Sequence, residues 1–165
     1  MTDHNLSRAE DMKREFDRGF AVVHERAEAR TEDLLAIGLF GAKYALRLQD
    51  VAGLSSNKKI TRIPAARPGL LGIAGFRGRI LPVYDLGALI GLPGSVTPRW
   101  LAVARSGDVA VAFEAFDGHL RVPAGSIAAN EYKDGGRQYL SHLIRSEDGI
   151  RSIVNLENAL KTATT

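Results

Sequence analysis

The sequence predicts a mainly β protein, two small strand-built barrels preceded by an amphipathic helix. Three observations carry this. From Leu34 onward, short apolar runs are broken by Gly, Pro, Asn or Asp every 8–12 residues, the rhythm of small barrels and sandwiches. These runs fall into two comparable clusters, about 34–90 and 99–155, with no repeat identity between them. Residues 1–33 differ in texture and charge: nine acids against six Lys/Arg, net −3, whereas residues 34–165 hold sixteen Lys/Arg and ten acids, net +6. Two regions follow, a helix over residues 1–33 and a β body over residues 34–165.

In the first region Ser7-Arg8-Ala9-Glu10 is a capping box, its serine hydroxyl accepting from the Glu10 amide while the Glu10 side chain reaches back. Met12, Phe16, Phe20, Val23 and Ala27 follow at spacings of 4, 4, 3 and 4, one stripe of a 3.6-residue helix. Asp11/Arg14 and Glu15/Arg18 are placed to pair at i, i+3. Helical to about Asp33, the segment would be roughly 40 Å long. Its apolar face wants a partner, and three are open: its own domain, a second copy, or another protein. Gly19 lies mid-stripe and weakens the helix by about 1 kcal/mol relative to Ala.

In the second region Leu34–Phe40 and Tyr44–Leu48 flank Gly41-Ala42-Lys43 as a hairpin. Ile60–Ile63, Leu71–Ala74 and Arg79–Val83 are further strands, with Pro64, Pro68 and Pro82 confining them to starts, edges or bulges. Leu86–Ile90 predicts one or two helical turns before the Gly91-Leu92-Pro93-Gly94 break. The second cluster comprises Trp100–Ala104, Val109–Phe113, His119–Val122, Leu140–Arg145 and Ile150–Val154, then a short helix over Leu156–Lys161.

The chain has 165 residues, 45% hydrophobic and 25% charged, ordinary for a globular protein of one domain or two subdomains. Such a length buries roughly 70% of its unfolded surface without disulfides or a structural metal. With no cysteine, thiolate metal sites and cysteine nucleophiles are excluded. Met1-Thr2-Asp3-His4 runs into charged residues with no apolar core, so no secretory leader is expected, and no segment approaches the ~18 apolar residues of a membrane span. A cytoplasmic protein without direct membrane insertion is the expectation.

Catalytic apparatus is not visible. His4, His24, His119 and His142 form no ligand pair, so no metal or cofactor is expected. Gly69, Gly72, Gly75 and Gly78 are spaced by three throughout, which is not a dinucleotide fingerprint. Asp85, Glu114 and Asp117 could in principle form a carboxylate pair, but any chain of this size holds such residues, and a catalytic role is not expected of them. The glycine series is more informative as geometry: it permits close backbone approach and positive φ, with Leu70, Leu71, Ile73, Ala74, Phe76 and Arg77 presented between the glycines. Arg77, between Phe76 and Gly78, has the composition of a protein-contact hot spot. Lys58, Lys59, Arg62, Arg67, Arg77 and Arg79 would also suit an anionic ligand or nucleic acid, but Phe76 is the sole aromatic among them, where single-strand binders use several.

Ile60-Thr61-Arg62-Ile63-Pro64, followed by the run from Gly72 to Leu86 (GIAGFRGRILPVYDL), resembles the signature of the CheW-like family, the chemotaxis coupling proteins. The shared pattern is a hydrophobic pair with Arg-Gly, then Ile/Leu-Pro-Val, then Asp-Leu. The likeness continues through Phe40, Tyr44, Val51, Glu114, Gly118, Arg121-Val122-Pro123 and Asp148-Gly149 to Val154-Asn155-Leu156-Glu157 and Leu160, covering about residues 34–162. It implies two intertwined five-stranded SH3-like barrels and a non-enzymatic adaptor between the cytoplasmic tip of a chemoreceptor and the regulatory domain of a CheA-type histidine kinase. By the same resemblance Arg77 is the receptor-contact arginine, with Ile73, Phe76 and Gly78 beside it. Asp85 is a structural acceptor near the turn that Gly72 and Gly75 help to shape. Two positions depart from the pattern: a glutamate is common where this chain has Gly53, and an arginine where it has Gly87. A paralogue serving a type IV pilus or another kinase-linked pathway is the alternative.

Overall fold

Alternating side chains with two buried faces build this protein. In the computed structural model, which describes residues 30–64, 67–94, 97–130 and 137–164, strands dominate. They are β1 (Thr31–Leu39), β2 (Ala42–Arg47), β3 (Val51–Ser56), β4 (Leu70–Phe76), β5 (Arg79–Asp85), β6 (Trp100–Ala104), β7 (Ala110–Phe113), β8 (Ala115–Pro123), β9 (Ile127–Ala129), β10 (Leu140–Ser146) and β11 (Gly149–Val154). Two α-helices join them, α1 (Leu86–Leu89) and α2 (Leu156–Thr164). The capping box and apolar stripe of residues 7–29 lie outside the described residues. Thr31-Glu32-Asp33, assigned above to the end of that helix, are strand: they pair antiparallel with Arg121–Pro123 of β8.

The strands form two sheets, ordered β8-β1-β2-β11-β10-β9 and β3-β6-β7-β5-β4. The mainly β, two-subdomain expectation therefore holds, with the short β9 giving the first sheet six strands rather than five. The division into clusters 34–90 and 99–155 does not hold. Residues 51–113 make the whole five-stranded sheet and are inserted between the two parts of the other, because β1 pairs with β8 and β2 pairs in parallel with β11. Local apolar rhythm carries no information on such distant pairing.

Alternation gives β1, β2, β5, β6, β7 and β11 two cores each. Leu35, Ile37 and Leu39 of β1, Leu46 of β2, Tyr84 of β5, Ala102 of β6, Val111 and Phe113 of β7 and Val154 of β11 meet in one cluster between the sheets, joined by Leu86, Leu156 and Leu160. The intervening residues face outward into two smaller cores. Ala74, Leu81, Val83, Leu101, Val103, Ala110 and Ala112 form one, and Leu34, Ala45, Ile144 and Ile153 form the other. This is why β7, Ala-Val-Ala-Phe, is an unbroken apolar run: all four residues are buried.

Helix α2 starts where the Asn155 side chain accepts from the Asn158 amide at 3.0 Å, and it lays Leu156, Ala159 and Leu160 on the central core. Among the described residues two charged side chains are buried, Asp85 and Arg151. Arg151 of β11, 2% exposed, donates to Asp117 Oδ2 at 2.9 Å and to Asp148 Oδ2 at 2.5 Å, and reaches the carbonyls of Ile37 and Tyr44.

Candidate functional site

Phe76-Arg77-Gly78-Arg79 closes the β4–β5 hairpin. Phe76 pairs with Arg79, which leaves a two-residue loop with φ of 48° at Arg77 and 78° at Gly78. Both left-handed values define the turn whose twist suits a hairpin. Gly78 adopts it without penalty; Arg77, carrying a Cβ, does so at a cost. The strained geometry holds Arg77 outward at the tip. Its guanidinium carbon stands 5.3 Å from the Phe76 ring centroid, within cation–π range.

The Phe76 ring is half-buried and packs toward the core of the five-stranded sheet. It lies over Gly53 of β3, so closely that a Cβ on Gly53 would stand 2.4 Å from its Cζ. A pocket of about 180 Å³ surrounds the tip, lined by Ala52, Phe76, Arg77, Leu81, Val103 and Gly107. Arg79 Nη2 donates to Asp108 Oδ1 at 3.0 Å, tying the hairpin to the turn between β6 and β7. Arg77 itself has no ion pair among the described residues.

The glycines of the series do separate jobs. At Gly72, φ is 146° and a Cβ would stand 2.2 Å from the Thr61 carbonyl oxygen, so the position must be glycine for the backbones to cross. Thr61 and Ile73 then exchange two backbone hydrogen bonds, at 2.8 and 2.9 Å. This single bridge is what remains of the strand expected over Ile60–Ile63, which ends against Pro64. Gly75 is exposed, has no positive φ, and a Cβ there would meet open space. Ala74, expected at the surface, is 6% exposed and belongs to the core.

Alternation along β4 puts Ile73 and Gly75 on the face opposite Ala74 and Phe76. Ile73 therefore does not share a surface with the Phe76 ring. Its face instead carries Ile80, paired across from Gly75 and 73% exposed, a residue the sequence reading passed over. The inward alternation of Leu81 and Val83 already implies that Ile80 points out.

Asp85 ends β5, 3% exposed, and caps α1 by accepting from the Ala88 amide at 3.0 Å, while its own amide donates to the Gly69 carbonyl at 2.7 Å. A Cβ on Gly87 would stand 3.1 Å from Asp85 Oδ1 and 3.5 Å from the Phe40 ring. A long side chain in place of Gly87 would press on the cap. Asp85, Glu114 and Asp117 each serve a different partner: Asp85 accepts from the Ala88 amide, Glu114 from the Phe40 amide and Asp117 from Arg151. Among the described residues no three His, Asp or Glu side chains are grouped to hold a metal ion.

Charge follows the nested topology. Residues 51–113 carry eight Lys/Arg and two acids, of which Asp85 is buried and Asp108 is paired with Arg79. The five-stranded subdomain thus presents a cationic surface with the Arg77 tip on it.

The sequence profile of the CheW-like domain matches residues 33–164. The chain belongs to the CheW-like family. A curated relative is the chemotaxis protein CheW of Bacillus subtilis strain 168, 32% identical over 68 residues, which is 41% of this chain and 44% of that protein. The match thus spans under half the length of that relative. In fold, the chain is similar to the crystal structure of the scaffolding protein TtCheW from Thermoanaerobacter tengcongensis. The TM-score is 0.68 at 20% identity, over 77% of this chain and 90% of that one. Among the described residues of this CheW-like chain, no helix is long and apolar enough to cross a membrane.

Proposed function

We propose that this CheW-like chain is a non-enzymatic signalling adaptor that couples the cytoplasmic tip of a chemoreceptor to the regulatory domain of a CheA-type histidine kinase. Membership of the family supports the scaffold role. The observation that carries the assignment of the contact is Arg77, held at positive φ on the face of Phe76 at an exposed hairpin tip.

An arginine in that setting is pre-organised. The turn fixes its backbone and the ring limits its side-chain freedom, so less entropy is lost when it meets a partner carboxylate. The partner's acidic groups are attracted further by the cationic surface of residues 51–113. Phe76 supplies apolar area beside the charge, and Gly78 sets the angle of the tip. The adaptor acts by holding two proteins together, and no bond is made or broken in this reading.

The test is a calorimetric titration of the full chain and of Arg77→Ala with a soluble fragment containing the receptor's cytoplasmic tip. Affinity should fall by more than about 1–2 kcal/mol, roughly five- to thirtyfold, while the melting temperature stays within what about 0.5 kcal/mol produces. Unchanged affinity in a normally folded variant would remove Arg77 from the contact.

A further inference from the structure

Arg79 follows the Arg77-Gly78 turn directly, and its guanidinium lies across the neighbouring turn between β6 and β7. Nη2 donates to Asp108 Oδ1 at 3.0 Å, and Nη1 lies only 3.1 Å from where a Cβ on Gly107 would stand. That second turn is itself tied down. The Gly107 amide donates to the Ala104 carbonyl at 2.8 Å, the Ala104 amide donates to the Val109 carbonyl at 2.9 Å, and Gly107 takes φ of 75°. The Asp108 carboxylate is thus presented to the hairpin from a short turn joining two largely buried strands.

Both ends of the Arg79–Asp108 pair are exposed, and such pairs add little to stability. What the pair fixes is the place of a long side chain at the pocket beside Arg77, which Arg79 also lines. Leu81 and Val103 of that pocket are buried and belong to the core of the five-stranded subdomain. At about 180 Å³ the pocket exceeds the ~150 Å³ of an apolar cavity that holds a benzene ring, so one apolar side chain fits. Asp108 occupies Arg79, whereas Arg77 has no ion pair among the described residues. The complement is an apolar side chain with a carboxylate next to it.

We propose that Asp108 is a positioning residue for the partner contact: it holds the Arg79 side chain on Gly107, so that the pocket beside Arg77 is ready to receive one apolar side chain of an acidic partner segment. This rests on the reading of Arg77 as the receptor contact, and adds the chemistry of what sits next to the bound carboxylate. Without the Asp108 carboxylate Arg79 gains rotamers, and that freedom is lost again when a partner fills the pocket.

The sign of the effect separates this role from simple charge. Asp108→Ala makes the surface more cationic, and if net charge alone mattered an acidic partner would bind more tightly. Positioning requires weaker binding. In calorimetric titrations of the full chain with the soluble fragment containing the receptor's cytoplasmic tip, Asp108→Ala should lower the affinity about two- to tenfold, the cost of immobilising one long side chain. In an Arg79→Ala background the same substitution should weaken nothing, because the side chain it would release is gone. In the isotope-labelled chain without partner, the Arg79 Nε–Hε group should be ordered in the parent and mobile in Asp108→Ala, while backbone amide signals away from the turn hold their positions. Unchanged or tighter binding by Asp108→Ala, a loss that persists in the Arg79→Ala background, or an Arg79 side chain already mobile in the parent would each overturn the positioning role. Arg77→Ala, titrated alongside, tells the two readings apart. Loss there with none in Asp108→Ala overturns the positioning role alone, whereas no loss there removes Arg77 from the contact and the positioning role with it.

Discussion

The Phe76 ring occupies the space that any side chain at Gly53 would need: a Cβ there would stand 2.4 Å from Phe76 Cζ and 3.0 Å from Cε1. Gly53 is one of the two positions at which the sequence departs from the pattern it resembles. In this chain the absence of a side chain on β3 at Gly53 leaves the space in which the aromatic beside Arg77 is seated.

Gly53→Ala should cost about 1–2 kcal/mol as the ring is displaced. In a Phe76→Ala background that cost should nearly vanish, a coupling of at least about 0.5 kcal/mol between touching residues. Urea denaturation of the four proteins of the cycle checks this. Additive losses would mean that the two residues do not share the space.

Gly72 and Gly75 should respond oppositely to the same change. At Gly72, positive φ and the Thr61 carbonyl oppose a Cβ, and Gly72→Ala should lose at least about 2 kcal/mol. Gly75→Ala enters open space and should stay within about 0.5 kcal/mol of the parent. Equal losses would show that strand propensity, not backbone crossing, governs both.

Arg77 pays for its position in backbone strain. Arg77→Gly should make the protein about 0.5–1 kcal/mol more stable, since glycine takes φ of 48° freely. The same variant should bind the receptor tip less well. A stabilised protein with weakened binding is the signature of strain kept for function.

Much of the β body was legible. Trp100–Ala104 is strand over the same five residues, and Leu34–Phe40, Arg79–Val83 and Ile150–Val154 lie on strands displaced by at most a few residues. Val51–Ser56 was missed because Gly53 and two serines break its alternation, and the reason for Gly53 is a ring 23 positions later in the chain. Ile127–Ala129 is too short to show a period. Thr31-Glu32-Asp33 looks like the polar end of a helix, yet it is paired with a strand some ninety residues away. At the candidate site, Arg77, Gly78, Gly72 and Asp85 were visible as motif and turn residues. The buried Arg151 was not, because only the fold brings Asp117 and Asp148 to it.

Asp148, one of the two carboxylates on that arginine, makes stability sensitive to acid. The Ser146 hydroxyl, then Lys43 and Arg151, hold the Asp148 carboxyl well below the usual carboxylate range. A carboxyl lowered in the folded state stabilises the fold above its unfolded pKa, and this contribution drains away as pH falls from about 4 toward the folded value. Asp148→Asn should therefore be less stable than the parent at neutral pH, and the gap should begin to narrow near pH 5 and go on narrowing down to the lowest pH at which the parent stays folded. Denaturant curves across that range check it; a gap that stays constant or widens would assign the acid sensitivity elsewhere.

The coupling role is tested most directly by co-sedimentation of a CheA-type kinase with arrayed receptor cytoplasmic fragments, with and without this chain. If the chain is the adaptor, kinase should pellet with the receptors only when the chain is present, and Arg77→Ala should reduce both its own recovery and that of the kinase. Equal kinase recovery in the presence and absence of the chain would contradict the account.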